Sequence, residues 1–373
     1  MTTTMKKLRV FLFIVLVGIA ATLYIAMYKK DEHHVSRAVS VEDQPVLPNL
    51  EPTDKAATME PQRGRVHVCI FTGRWKYLRI LLPYLYRELR PNGGVVDKVI
   101  FAMIGYDAET QAKLKNFSTT ANSVLKDEAF QIVYFRDNPL TQRINLHQFY
   151  AKFHYYVLQR LVENPSDVYF KLDDDIVYIS PNVFGTMLKN KNPSDCFIHF
   201  ANIVSNWRCN WLHQQIGVFD NEVNPKGLKI DYHQNADCGW KRADCAEMIL
   251  RAFVHHYHKN QTSRYMFHGR NHTTDRLRFS INFFLIDVNL IDIRRIIETG
   301  LIRDDEDWWT VRYSKNAPYP NCIVGEAFVV HFSYWTTEKQ MVDLGLLKEF
   351  ENIVRIELGD KLPQPLLKAI EFL

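Results

Sequence analysis

Asp173, Asp174 and Asp175 interrupt an otherwise largely apolar run from Val168 to Ile179. The aromatic and β-branched residues on both sides favour strands. The acids then sit at a strand end, where a parallel sheet presents its ligand site. Three ionised carboxylates side by side repel one another, and in a cleft they call for a divalent cation or a solvated edge. Hard cations such as Mg²⁺ or Mn²⁺ take such oxygens. The ordinary alternative is a polar turn, because Asp is common in turns; the flanking apolar strands favour a metal site.

Two more groups downstream carry chemistry. Asp304, Asp305, Glu306 and Asp307 form an acidic run followed by Trp308 and Trp309. His331 interrupts the apolar segment Phe328–Trp335. A carboxylate can take a proton from an attacking hydroxyl. Tryptophans offer flat faces to sugar rings. An imidazole suits a borderline metal such as Mn²⁺ better than Mg²⁺ or Ca²⁺. Each group has a plainer explanation: a solvated turn, paired core tryptophans, a hydrogen-bonded core histidine.

The elements around these groups follow from hydrophobic spacing. Val66–Phe71 reads as a first strand, ending in a small Thr72-Gly73-Arg74 loop before a helix with Leu78, Leu81, Leu82, Leu85 and Leu89 on one face. Pro91-Asn92-Gly93-Gly94 stops that helix. Lys98–Ile104 and Gln131–Phe135 read as the next strands, with a short helix around Ala108–Phe117 between them and another over Leu146–Val162. This alternation implies parallel βαβ units in an α/β fold. Phe197–Ala201 is a further strand, Ala243–Tyr257 a helix, and Thr337 to about Ile356 a closing helix. The segments Asn206–Trp211 and Asp237–Trp240 read as loops.

A βαβ first half, Lys171-Leu172-Asp173-Asp174-Asp175-Ile176-Val177 at a strand end, a later Glu306-Asp307 and a still later His331 together resemble a GT-A glycosyltransferase. The resemblance covers about residues 65 to 355. It implies a Rossmann-like N-terminal half with a mixed central sheet. It implies that Asp173 lies near the ribose or metal, that Asp175 ligates Mn²⁺ (or Mg²⁺) bridging the diphosphate of a nucleotide-sugar donor, and that His331 is a further metal ligand. Asp307 is the implied base, with Glu306 and Asp305 as rivals, and inversion at the anomeric carbon follows. The resemblance implies that Thr72, Gly73, Arg74 and Asp174 face the donor, and specificity is expected in loops around Trp207–Trp240 and Trp308, with Trp309 beside them. The acceptor that the resemblance implies is a hydroxyl on a glycan or glycoprotein.

Bulk properties bound these readings. The chain has 373 residues, 47% hydrophobic and 24% charged, enough for a sizeable core. A net charge of +4 is too small to argue for nucleic acid. Val10–Tyr28 carries no charge and is long enough to span a bilayer. Lys6, Lys7 and Arg9 precede it, which favours a cytosolic N-terminus. The expected organisation is a cytoplasmic tail at 1–9, a signal-anchor at 10–28, a proline-rich stem at 29–63 and a catalytic domain at 64–373, lumenal in the Golgi or ER. Sequons at Asn116, Asn260 and Asn271 agree with a lumenal location. So do six cysteines, Cys69, Cys196, Cys209, Cys238, Cys245 and Cys322, which allow up to three bridges. Cys69, inside an apolar strand, suits a buried free thiol. Two other readings compete: a haloacid-dehalogenase-type phosphatase, whose site opens with Asp-x-Asp-x-Val, and a non-catalytic lumenal carbohydrate-binding protein.

Overall fold

Two residues, Asp174 and Asp175, separate a strand in the middle of the sheet from one at its far end, and the fold is built around that crossing. A computed structural model describes residues 64–103, 107–134, 166–192, 194–231, 237–273, 278–291, 305–332, 334 and 336–372. These belong to one compact unit, Pro61–Leu373. The expected anchor and stem, the helix at 146–162, and Arg303 and Asp304 lie outside the described residues. Among the described residues no helix is long and apolar enough to cross a membrane.

In chain order the elements are β1 (Val66–Thr72), α1 (Trp75–Glu88), β2 (Lys98–Met103), α2 (Ala108–Leu125), β3 (Phe130–Tyr134), β4 (Val168–Asp173), β5 (Ile176–Ile179), α3 (Val183–Lys189), β6 (His199–Val204), α4 (Trp207–Gln215), α5 (Ala243–His258), β7 (Arg270–Thr273), β8 (Phe283–Asp287), β9 (Asn321–His331), α6 (Glu338–Asp343), α7 (Leu346–Leu358) and α8 (Gln364–Ala369). They build one mixed sheet ordered β3-β2-β1-β4-β8-β6-β9-β5, with β7 also on β9. The strands β3, β2, β1 and β4 are parallel, as the βαβ pattern requires. From β8 onward the pairing is mixed: β8 is antiparallel to β4 and β6, and β9 is parallel to β6 but antiparallel to β5. Every residue of β1 is buried, the mark of a strand covered on both faces.

The chain runs from β4 to β5 in three Cα steps, which reach at most about 11 Å. Yet β8, β6 and β9 lie between those strands in the sheet order. The sheet must therefore curl until the C-terminal end of β4 meets β9. A register shift in β9 between Val324 and Phe328 helps it bend.

Three boundaries differ from the sequence reading. Helix α2 continues to Leu125, past the expected Phe117. The Asn206–Trp211 segment is not a loop: Asn206 accepts from the backbone N–H groups of Arg208 and Cys209 and so starts α4. The closing helix is two helices, because Gly345 adopts φ +77° between them. Of the six cysteines, Cys196 pairs with Cys322 and Cys238 with Cys245; Cys69 and Cys209 are buried free thiols.

Candidate metal and nucleotide site

The curl brings three side chains together. Asp173 ends β4, Asp175 precedes β5, and His331 ends β9 directly opposite Ile176 in the β5–β9 ladder. The Phe332 N–H donates to the Asp175 carbonyl at 2.9 Å and pins that register. Ligand atoms from Asp173, Asp175 and His331 all lie within 4.8 Å of one another. Two carboxylates and an imidazole at that spacing could hold a metal ion. The buried Nδ1 of His331 has no hydrogen-bond partner, while Nε2 sits 3.2 Å from Asp175 Oδ1.

Each carboxylate in the triple has its own environment. Asp173 is partly exposed and held from both sides: the Lys171 ammonium pairs with Oδ1, and Asn282 Nδ2 donates to Oδ2 at 2.7 Å. Asp174 turns away from the triad to the end of β1. Its Oδ2 accepts from the backbone N–H groups of Gly73 and Arg74, both at 3.0 Å, and its Oδ1 from the Arg74 guanidinium. Burial pushes this carboxyl up, helped by the neighbouring Asp175 charge and opposed by Arg74. For Asp175, burial also acts upward, but His331 and Arg74 outweigh it and hold the carboxyl well below the usual range. Burial alone would lower His331; its contact with Asp175 raises it instead.

Thr72 is buried and its hydroxyl donates to Ala102 O at 3.3 Å, so it faces β2. Arg74 remains at the mouth of the site, with Nη2 2.9 Å from Asp175 and Nη1 3.4 Å from Glu338.

The acidic run is linked to Asp173 through one segment. Arg278 donates to Glu306 at 2.6 Å, and the Phe279 N–H donates to Thr310 Oγ1. Lys171 donates to the Ile281 carbonyl at 2.8 Å, and Asn282 holds Asp173. Residues 278–282 thus form a hydrogen-bonded path from Asp173 to the Asp305–Asp307 helical turn. Glu306 also acts on the Tyr334 phenol: burial first, then that carboxylate, push it up. Asp307 accepts from Arg312 at 2.7 Å, and Asp305 is half-buried.

Trp308 and Trp309 face inward. They are 2% and 0% exposed, packed on each other, on Tyr313 and, for Trp309, on Phe284. No ring face is left open to a sugar, because the turn at 305–307 directs both indoles into the core. Trp240 is half-buried instead, its ring edge-on to Tyr334 at 5.6 Å. It lies in the short loop closed by Cys238–Cys245, where Gly239 adopts φ +102° and a Cβ would come within 2.6 Å of the Tyr334 ring. Tyr334 in turn packs on His331 at 6.0 Å.

Lys171, Asn282, Tyr334 and Glu338 were not assigned to the site by sequence reasoning. Lys171 carried a signal, a lone cation in an apolar strand. Asn282 and Tyr334 carried none. No protein-family model matches the chain, and no curated protein matches it. The mixed α/β sheet and the Asp173–Asp175–His331 cluster are compatible with a GT-A fold.

Proposed function

We propose that the protein is a metal-dependent glycosyltransferase of GT-A type, moving a sugar from a nucleotide-sugar donor to a hydroxyl of a glycan or glycoprotein, with inversion. The observation that carries this reading is the convergence of Asp173, Asp175 and the distant His331 within 4.8 Å. That point lies at the C-terminal ends of parallel strands β1 and β4, where open α/β sheets bind ligands. A bound Mn²⁺ or Mg²⁺ would offset charge on the departing diphosphate. Lys171 and Asn282 hold Asp173 in one rotamer, and Asp174 ties the β1 loop beside it. Asp307, Glu306 or Asp305 supplies the base for the acceptor hydroxyl. A Golgi or ER location behind the 10–28 anchor belongs to the same proposal.

The phosphatase alternative is less well supported. In that fold the Asp-x-Asp-x-Val motif usually opens the domain, whereas β1, β2 and β3 precede Asp173 here.

A thermal-shift screen of nucleotide sugars with and without Mn²⁺ tests the reading, since a ligand that binds only the folded state raises the melting temperature. One donor should stabilise the protein in the presence of Mn²⁺, and Asp175→Asn should abolish that shift. Stabilisation by no nucleotide sugar under either condition would refute it.

A further inference from the structure

Arg74 stands on a carboxylate that an incoming cation would use. Asp175 Oδ2 faces Arg74 Nη2 at 2.9 Å, while Oδ1 lies 3.2 Å from His331 Nε2 and makes no hydrogen bond. The site gathers three carboxylates, Asp173, Asp174 and Asp175, and two cationic side chains, Lys171 and Arg74. The two cations differ in freedom. The Lys171 side chain is 2% exposed and is also tied to the Ile281 carbonyl. The Arg74 side chain is 37% exposed, pairs with Asp174 as well as Asp175, and lies 4.8 Å from the ring centroid of the buried Tyr77. Its departure would not release the β1 loop, because Asp174 Oδ2 holds that loop through the backbone N–H groups of Gly73 and Arg74.

We infer that Arg74 is an exchangeable counter-ion. It competes with the divalent cation for Asp175, and on loading it transfers its guanidinium to the donor's diphosphate. This rests on the nucleotide-sugar reading above and deepens it. The chemistry suits the move: a guanidinium grips phosphate oxygens in pairs, as it grips carboxylates. The cation displaces Arg74 from Asp175, and the diphosphate receives it. Each ligand therefore helps the other to bind, by the same factor in both directions. Glu338, 3.4 Å from Nη1, faces the guanidinium from the opposite side and keeps it at the mouth of the site.

Opposite effects on two affinities distinguish this from a structural role. Mn²⁺ binding is measured by the loss of the free-ion electron paramagnetic signal, without nucleotide. UDP and GDP binding is then measured by calorimetry at saturating Mn²⁺. Arg74→Gln should bind Mn²⁺ alone about tenfold more tightly than the parent and the better of the two diphosphates about tenfold more weakly. Arg74→Lys keeps the charge but not the paired grip. It should leave Mn²⁺ affinity unchanged and still weaken the diphosphate, and it decides the matter should the Gln variant fail to fold. Equal Mn²⁺ affinity in the parent and Arg74→Gln, or weakening of both ligands together, would overturn the inference while leaving the transferase reading standing. No Mn²⁺ binding by the parent or either variant would defeat both.

Discussion

The Lys171 ammonium is buried beneath Asp173 and bridges that carboxylate to the Ile281 carbonyl. A cation inside a strand of aromatic and aliphatic residues is costly unless fully paired. Here it is paired on one side by a site carboxylate and on the other by the backbone of the segment that leads to Glu306.

Replacing Lys171 with Met should therefore cost stability, because the Ile281 carbonyl loses its donor and Asp173 its counter-charge. The expected loss is about 1–3 kcal/mol in urea unfolding. Asp173 remains partly open to water, which limits the cost. An unchanged unfolding midpoint would show that the pairing is not formed in solution.

Asp307→Asn should lower turnover by about a hundredfold or more while leaving the KM for the donor within a few-fold, the pattern of a lost base. Steady-state kinetics with the donor found by thermal shift provide the readout. If donor binding falls and turnover does not, Asp307 is a binding residue, and Glu306 or Asp305 is the better candidate.

The tryptophans should separate by role. Trp309→Ala removes a fully buried indole and should destabilise the fold by about 3–5 kcal/mol. Trp240→Ala should leave the melting temperature almost unchanged, because its ring is half-buried, and should weaken sugar binding. Paired melting and binding curves check both statements.

Two histidines set the acid limb of stability. Asn202 donates its amide hydrogens to Tyr265 O and Gly325 O, so its Oδ1 accepts from His213 Nε2 at 2.8 Å. His256 accepts from Arg264 and so donates from Nδ1 to the Tyr265 hydroxyl. Burial drives His213 down to about 3, and burial with the Arg264 charge drives His256 down to about 4. Below the ordinary value of 6.5 the unfolded chain takes up protons that the folded chain refuses. The contribution of these two histidines is full above pH 6.5 and falls as the pH drops towards 4, opposed by Asp174 and His331, whose raised values favour the folded state as the pH falls. His213 should cost about 2 kcal/mol at pH 5, and His256 less. Melting temperatures from pH 7.5 to 4.5 check this, and His213→Gln should flatten the slope.

The parallel half was legible in the sequence because each strand is an apolar run between helical repeats. The Asp173–Asp175 end was legible because charge breaks such a run. His331 could be singled out as an interruption, and the resemblance joined it to Asp173 and Asp175 as a metal ligand; the β5–β9 register that brings it there depends on a curl that no local pattern encodes. Helix α4 was missed because Trp207, Cys209, Asn210 and Trp211 have modest helix propensity and the segment lacks an apolar stripe; only the Asn206 cap announced it. Trp308 and Trp309 misled for the opposite reason: an acidic run before two indoles suggests an exposed platform, whereas the helical turn rotates them inward. Cysteine pairing was open in principle, because six cysteines admit many connectivities.

Strand β9 touches β5, β6 and β7, is joined covalently to the segment before β6 through Cys322, and ends at the imidazole. Side chains alternate faces along a strand, so a deletion of one residue between Phe328 and His331 would point the imidazole at the opposite layer of the protein. The loops bordering the site carry no such constraint. Variation in specificity can accumulate in them, while the spacing along β9 stays fixed.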